Sequence, residues 1–223
     1  YEETRDVAYY RVADNFWDIC THGYMYSIGG VAGAKNPNNA ECFTSQPDSL
    51  YGNGFSPGGQ NETCATYNLL KLSRRLFMFD QDAKYMDYYE QALYNHILAS
   101  VAEENPGNPY HVPLNPGART RFGNSRMNGF TCCNGTALES STKLQDSIYF
   151  RSSDHSKLYV NLFVPSTLDW KERGLTVHQE TRLPFSDRTK LTIDGGGQFA
   201  VLIRRPKWAI YGLDVSINGK QLP

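Results

Sequence analysis

The sequence predicts an α+β chain of two domains, helical over residues 1–150 and β-rich over 151–223. Three observations carry that reading. Apolar residues recur at helical spacing up to Phe150, and short β-rich segments replace them afterwards. A run of helices followed by a run of strands means separate domains or an α+β layout, and separate domains are taken here. Near the end, Ile217-Asn218-Gly219-Lys220 carries a strong hairpin-turn signal.

Element by element, Glu3 to Cys20 reads as a helix with Val7, Tyr10, Phe16 and Trp17 among its apolar positions. From Thr21 to Gln60 periodicity is lost among glycine pairs, prolines and asparagines, and an aperiodic stretch of this length is commonly functional or disordered. From Asn61 onward Ala65, Leu69, Leu72 and Leu76 lay an apolar stripe along a second helix. Asp80 and Asp82 mark a turn, and Tyr85, Tyr88, Ala92 with Tyr89, Leu93, Ile97 define a third helix, completing a helical hairpin. A fourth helix is expected from Thr136 to Ile148 on Ala137, Ser141, Leu144 and Ile148. Expected strands are Leu158–Val164, Leu175–His178, Lys190–Ile193 and Phe199–Ile203.

Net charge is −1, which supplies no field for nucleic acid or an anionic membrane. No apolar run is long enough to span a bilayer. Fifteen tyrosines stand in an aromatic fraction of 13%; such rings can stack on sugar faces or simply fill a core. The chain begins at Tyr1 without methionine, so either a leader was processed away or a longer protein is expected.

Cys20, Cys42, Cys64, Cys132 and Cys133 are odd in number, which argues against a fully paired disulfide framework. Glu62 and Cys64 open the best helix, where backbone geometry is still irregular and both side chains can turn to one point. Cys132-Cys133 again precedes a helix. Three thiolates and a carboxylate make a sound tetrahedral zinc set. The spacing itself leaves zinc, buried free thiols and disulfides all open, including a Cys20–Cys42 pair. Asn61-Glu-Thr and Asn134-Gly-Thr match the glycosylation acceptor pattern but lie against these cysteines, and are read as chance.

Six motifs follow one another in order: Tyr26-Ser-Ile-Gly-Gly30, Ala40-Glu41-Cys42-Phe43, Asn61-Glu62-Thr-Cys64-Ala-Thr-Tyr67-Asn68, Tyr110-His-Val-Pro113-Leu114, Cys132-Cys133-Asn-Gly-Thr136 and Glu139 through Lys143 and Asp146 to Tyr149. With Leu168-Asp-Trp170 in the strand region, this series resembles the β-L-arabinofuranosidases of glycoside hydrolase family 127 over nearly the whole chain. The resemblance implies part of an (α/α)6-type helical barrel followed by a β-sandwich-like domain. It implies Zn²⁺ held by Glu62, Cys64, Cys132 and Cys133, with Cys132 as nucleophile and Glu41 as general acid/base. Tyr110 matches a tyrosine close to the sugar; His22 and His111 lie near the motifs, where each could contact sugar hydroxyls or serve as a hydrogen-bonded structural histidine. The reaction implied is retaining cleavage of β-linked L-arabinofuranose.

A zinc-bound cysteine is held as thiolate, the nucleophilic form. Thiolate and glutamic acid together suit a double displacement, with the two groups on the order of 5 Å apart. The expected partner is carbohydrate, with neither nucleic acid nor membrane. Only part of a barrel is present, so the missing N-terminal part is expected to come from the same protein or another chain, and this chain alone is expected to be inactive. Sugar-polymer substrates point to an extracellular or periplasmic setting, whereas zinc-bound thiols need protection from oxidation. A non-catalytic carbohydrate-binding or structural protein is the alternative.

Overall fold

The computed structural model describes residues 1–32, 42–105, 107–123, 130–143 and 145–222. The chain divides into two compact units, Tyr1–Leu144 and Gln145–Pro223. No helix among the described residues is long and apolar enough to cross a membrane.

In the first unit, α1 spans Val7–Gly23 and is capped by Asp6, whose carboxylate accepts from Ala8 N at 2.9 Å. Its inward face is Trp17, Cys20 and Thr21. The expected apolar positions split: Trp17 is buried, but Val7 and Phe16 join Tyr9, Val12 and Ile19 in solvent. Trp17 stacks edge-on against Tyr85 at 4.8 Å and donates its indole N–H to Ser73 Oγ at 2.7 Å.

A short helix, α2 (Leu50–Gly54), breaks the aperiodic stretch. That stretch is held by close contacts rather than by periodic burial. Asn53 Nδ2 donates to Tyr26 Oη, and Tyr88 Oη donates to Gly29 O at 2.9 Å. Gly29 has φ +91°, and a Cβ there would sit 2.6 Å from Ala92 Cα, so glycine is required twice over.

A short strand, β1 (Gln60–Glu62), leads into α3 (Thr63–Asp80), which begins two residues later than expected. The face α3 buries includes Thr66, Leu69, Leu70, Ser73, Leu76 and Phe77. The expected stripe of Ala65 and Leu72 is half-buried instead. The shift has a polar cause: Ser73 receives Trp17, and Thr66 is hydrogen-bonded to His96 at 2.8 Å. Gln81 in the left-handed region ends α3, and Asp82 caps α4 (Ala83–Ala92) through Lys84 N at 2.9 Å. All six apolar positions expected on this helix are buried. It ends in a π-helical turn, Leu93–Ile97, and a 3₁₀ turn, Leu98–Ser100. The wider turn carries the fully buried imidazole of His96 opposite Thr66.

Strand β2 (His111–Pro113) pairs antiparallel with β1, placing Glu62 opposite His111. Helix α5 spans Cys132–Lys143. It starts four residues before the expected Thr136, so the cysteine pair forms its first turn rather than its approach. Ser141 on the expected stripe is exposed, and Ile148 falls outside the helix in the second unit.

The second unit contains two three-stranded sheets. One is ordered β3 (Tyr149–Arg151), β4 (Lys157–Val160), β8 (Ala200–Ile203), with β4 and β8 parallel. The other is an antiparallel meander of β5 (Ser166–Trp170), β6 (Leu175–Thr181) and β7 (Thr189–Asp194). Leu158 from the first packs with Trp170, Leu175 and Val177 from the second. Alternation along β6 buries Leu175, Val177 and Gln179. The expected hairpin forms between β9 (Ser216–Ile217) and β10 (Lys220–Gln221), with Asn218 at φ 51° and Gly219 at φ 80°.

Candidate metal centre

Two chain segments far apart in sequence deliver four donors to one place. Glu62 ends β1, where pairing with β2 buries it to 6% exposure, and Cys64 sits in the first turn of α3. Cys132 and Cys133 open α5. The ligand atoms of Glu62, Cys64, Cys132 and Cys133 all lie within 4.8 Å of one another.

The donor set fits a tetrahedral ion. Sulfurs sharing a zinc at bonds near 2.3 Å stand about 3.8 Å apart, and Cys64 Sγ to Cys132 Sγ is 3.7 Å. Cys132 and Cys133 each place sulfur 3.9 Å from Glu62 Oε1. Cys64 is hydrogen-bonded to the same oxygen. Burial pushes the Cys64 thiol far up, reinforced by its hydrogen bond to Glu62 and the neighbouring Cys133. Burial also raises Cys133, against lowering hydrogen bonds from Thr63 and Cys64. Both shifts disfavour the bare thiolates, and a cation bound among these donors would offset them.

The four donors differ in access. Glu62 and Cys133 are buried, Cys64 is half-buried, and Cys132 is exposed. The Cys132 sulfur also lies 3.2 Å from Tyr110 Oη. Tyr110 stacks on His111 with ring centroids 4.4 Å apart, and its carbonyl accepts from Thr63 N at 3.3 Å.

Of the residues singled out from sequence, Glu62, Cys64, Cys132, Cys133 and Tyr110 converge, and His111 is the direct neighbour of Tyr110 on β2. His22 ends α1 with its side chain 76% exposed, and its described partners, Asp18 and Thr21, belong to that helix. Glu41 lies outside the described residues. Cys20 and Cys42 do not pair: both are free thiols, one buried and one exposed, as are the other three cysteines. Asn61 is fully buried and Asn134 is 7% exposed, in keeping with chance glycosylation matches.

Sequence reasoning missed Asn108 and Thr131, and saw Asn134 as a glycosylation match and a motif residue beside the cysteines, without a role of its own. A Thr-x-x-Asn spacing ahead of α5 was the available signal, since it is a variant of the reciprocal cap at a helix start.

Comparisons with known proteins identify the family. Residues 1–146 match the model of the "Beta-L-arabinofuranosidase, GH127 catalytic domain", and residues 157–223 that of the GH127 middle domain. No curated protein matches the chain. Among solved structures, it is similar to Ara127N-Se, a GH127 β-L-arabinofuranosidase from Geobacillus stearothermophilus T6. That match has TM-score 0.79 at 26% identity, covering 99% of this chain and 35% of the other. The GH127 β-arabinofuranosidase BT3674 shares the fold with TM-score 0.77 at 23% identity, covering 99% and 36%. The chain thus spans about a third of the length of these relatives. Matched by its catalytic-domain model over the first unit and by its middle-domain model over most of the second, the chain belongs to glycoside hydrolase family 127.

Proposed function

We propose that this chain carries the zinc-thiolate part of a retaining glycoside hydrolase that releases β-linked L-arabinofuranose. One observation supports this above the others: Glu62, Cys64, Cys132 and Cys133 converge within 4.8 Å, and only Cys132 among them is exposed. Bound there, Zn²⁺ would supply the positive charge that keeps the cysteines deprotonated near neutral pH. Cys132 Sγ then attacks the anomeric carbon as the bond to the departing oxygen breaks, forming a glycosyl-cysteine. Glu41 protonates that oxygen. In the second displacement Glu41 takes a proton from water, the water oxygen bonds to the anomeric carbon, and the carbon–sulfur bond breaks. Two inversions retain configuration. Tyr110, beside the sulfur, orients the sugar, with His111 and His22 as further hydroxyl contacts.

In this reading residues 1–150 are a portion of an (α/α)6-type barrel and residues 151–223 a portion of a β-sandwich. The match to about a third of the longer relatives supports a requirement for further helices from the same protein or another chain. The test has two stages. Elemental analysis is expected to find about one zinc per chain, lost in Cys64→Ser; none in freshly reduced protein would sink the metal reading. In an active assembly, Glu41→Gln is expected to abolish turnover while metal is kept. Unchanged turnover would remove Glu41 from its role, and no turnover in any assembly would favour a binding protein.

A further inference from the structure

Between the two cysteine-bearing helices runs the segment 108–113, and its side chains and backbone touch every element that supplies a donor. His111 pairs with Glu62 across β1 and β2. The Tyr110 carbonyl accepts from Thr63 N, one residue before Cys64. Asn108 reaches the third element. Its Nδ2 donates to Cys133 O at 3.3 Å, and its Oδ1 accepts from Asn134 Nδ2 at 2.9 Å. The backbone of Asn108 is itself fixed by N–H donation to Gly123 O at 3.2 Å.

Asn134 faces two ways. Its Oδ1 accepts from both the backbone N–H and the hydroxyl of Thr131, each at 2.8 Å, which closes the cap of α5. Its Nδ2 faces Asn108. Asn134 is 7% exposed, so an amide lost here is a hydrogen bond that water replaces poorly. One amide therefore sets the start of the helix carrying Cys132 and Cys133, and the same amide ties that start to the loop carrying Tyr110.

We infer that Asn108 and Asn134 form an amide clip that positions the Cys132–Cys133 turn for metal binding and fixes Cys132 against Tyr110. The clip touches neither sugar nor ion, so both are positioning residues. This rests on the metal reading above. Its chemistry is the general one in which partners behind metal ligands set ligand orientation, and their loss typically costs tenfold to a hundredfold in affinity.

The test is a cobalt(II) titration of the full chain, followed by thiolate-to-cobalt charge-transfer absorption, with wild type, Asn108→Ala, Asn134→Asp and the double variant. Asn134→Asp keeps an acceptor for both Thr131 donors but cannot donate to Asn108, so it breaks the clip while leaving the cap. Each single variant is expected to weaken cobalt binding by about tenfold to a hundredfold, with a displaced charge-transfer band. The double variant is expected to match Asn108→Ala, which already removes both the shared pair and the bond to Cys133 O. The metal-free unfolding midpoint of Asn134→Asp is expected to fall no further than that of Asn108→Ala, since both lose the shared hydrogen bond and the cap is kept. Cobalt affinity in both singles within twofold of wild type overturns the clip, as does a double variant whose loss is the product of the two singles. A wild-type chain with no cobalt binding sensitive to Cys64→Ser removes the metal reading itself, and the clip with it.

Discussion

Acidifying the metal-free chain from about pH 7.5 to pH 5 is expected to weaken its first unit through the imidazole of His96. His96 is fully buried in the π-helical turn after α4, hydrogen-bonded through Nδ1 to Thr66 Oγ1 at 2.8 Å. Burial pushes it down from 6.5 to about 4. Because the folded value lies below the unfolded one, the unfolded chain takes up the proton first. The stabilising difference is intact above pH 6.5 and disappears as pH falls toward 4. The full span corresponds to about 3 kcal/mol, of which about 2 kcal/mol is already lost at pH 5. Urea unfolding followed by helical circular dichroism at about pH 7.5 and pH 5, with chelator present, measures it. His96→Gln removes the titration, so the variant is expected to lose about 2 kcal/mol less than wild type over that interval. Equal losses in both proteins would refute the reasoning, since they would place the acid sensitivity elsewhere.

Other expectations follow from the same structure. Gly29→Ala forces a Cβ to within 2.6 Å of Ala92 Cα at φ +91° and is expected to cost about 3 kcal/mol or more in denaturant unfolding; a loss below about 1 kcal/mol would mean the loop shifts freely. Leu158→Ala opens the core shared with Trp170, Leu175 and Val177, and is expected to cost about 3 kcal/mol, read from the fluorescence of buried Trp170. On α1, Val12 is 68% exposed within an apolar stripe with Tyr9, Phe16 and Ile19. Val12→Lys is therefore expected to reduce concentration-dependent light scattering without lowering the unfolding midpoint, and unchanged scattering would show the stripe is not what associates.

Much of the site was legible because its donors come as short local motifs. Glu62 and Cys64 sit two apart at a helix entry, and Cys132 and Cys133 are adjacent, so two fragments sufficed to name four candidate donors that the structure brings together. Their convergence was not readable from spacing, since it depends on the β1–β2 pair and the hydrogen-bonded segment between the helices. The second helical hairpin arm was read well because Tyr85, Tyr88, Tyr89, Ala92, Leu93 and Ile97 are apolar and buried alike. On α3 the same rule misplaced the stripe, because Thr66 and Ser73 are buried for hydrogen bonds that only His96 and Trp17 explain. The start of α5 was read late because Cys-Cys-Asn-Gly has no apolar period; the Thr131–Asn134 cap sets it instead. Strand β5 was missed for a similar reason: Ser166-Thr-Leu-Asp-Trp170 alternates, yet only Trp170 is fully buried.

The placement of the donors has a consequence for how the chain is tied together. An ion shared by Cys64 and Cys132 would close a loop through α3, α4 and the segment leading to α5, as a disulfide would, but with a linkage that a chelator opens without a reductant. Cross-linking a loop of that length restricts the unfolded ensemble by about 4 kcal/mol in the chain-entropy model. The sulfur proposed to attack the sugar would then also be one end of the knot. Irreversible oxidation of Cys132 would end turnover yet leave the loop closed, because its neighbour Cys133 and Cys64 would still share the ion.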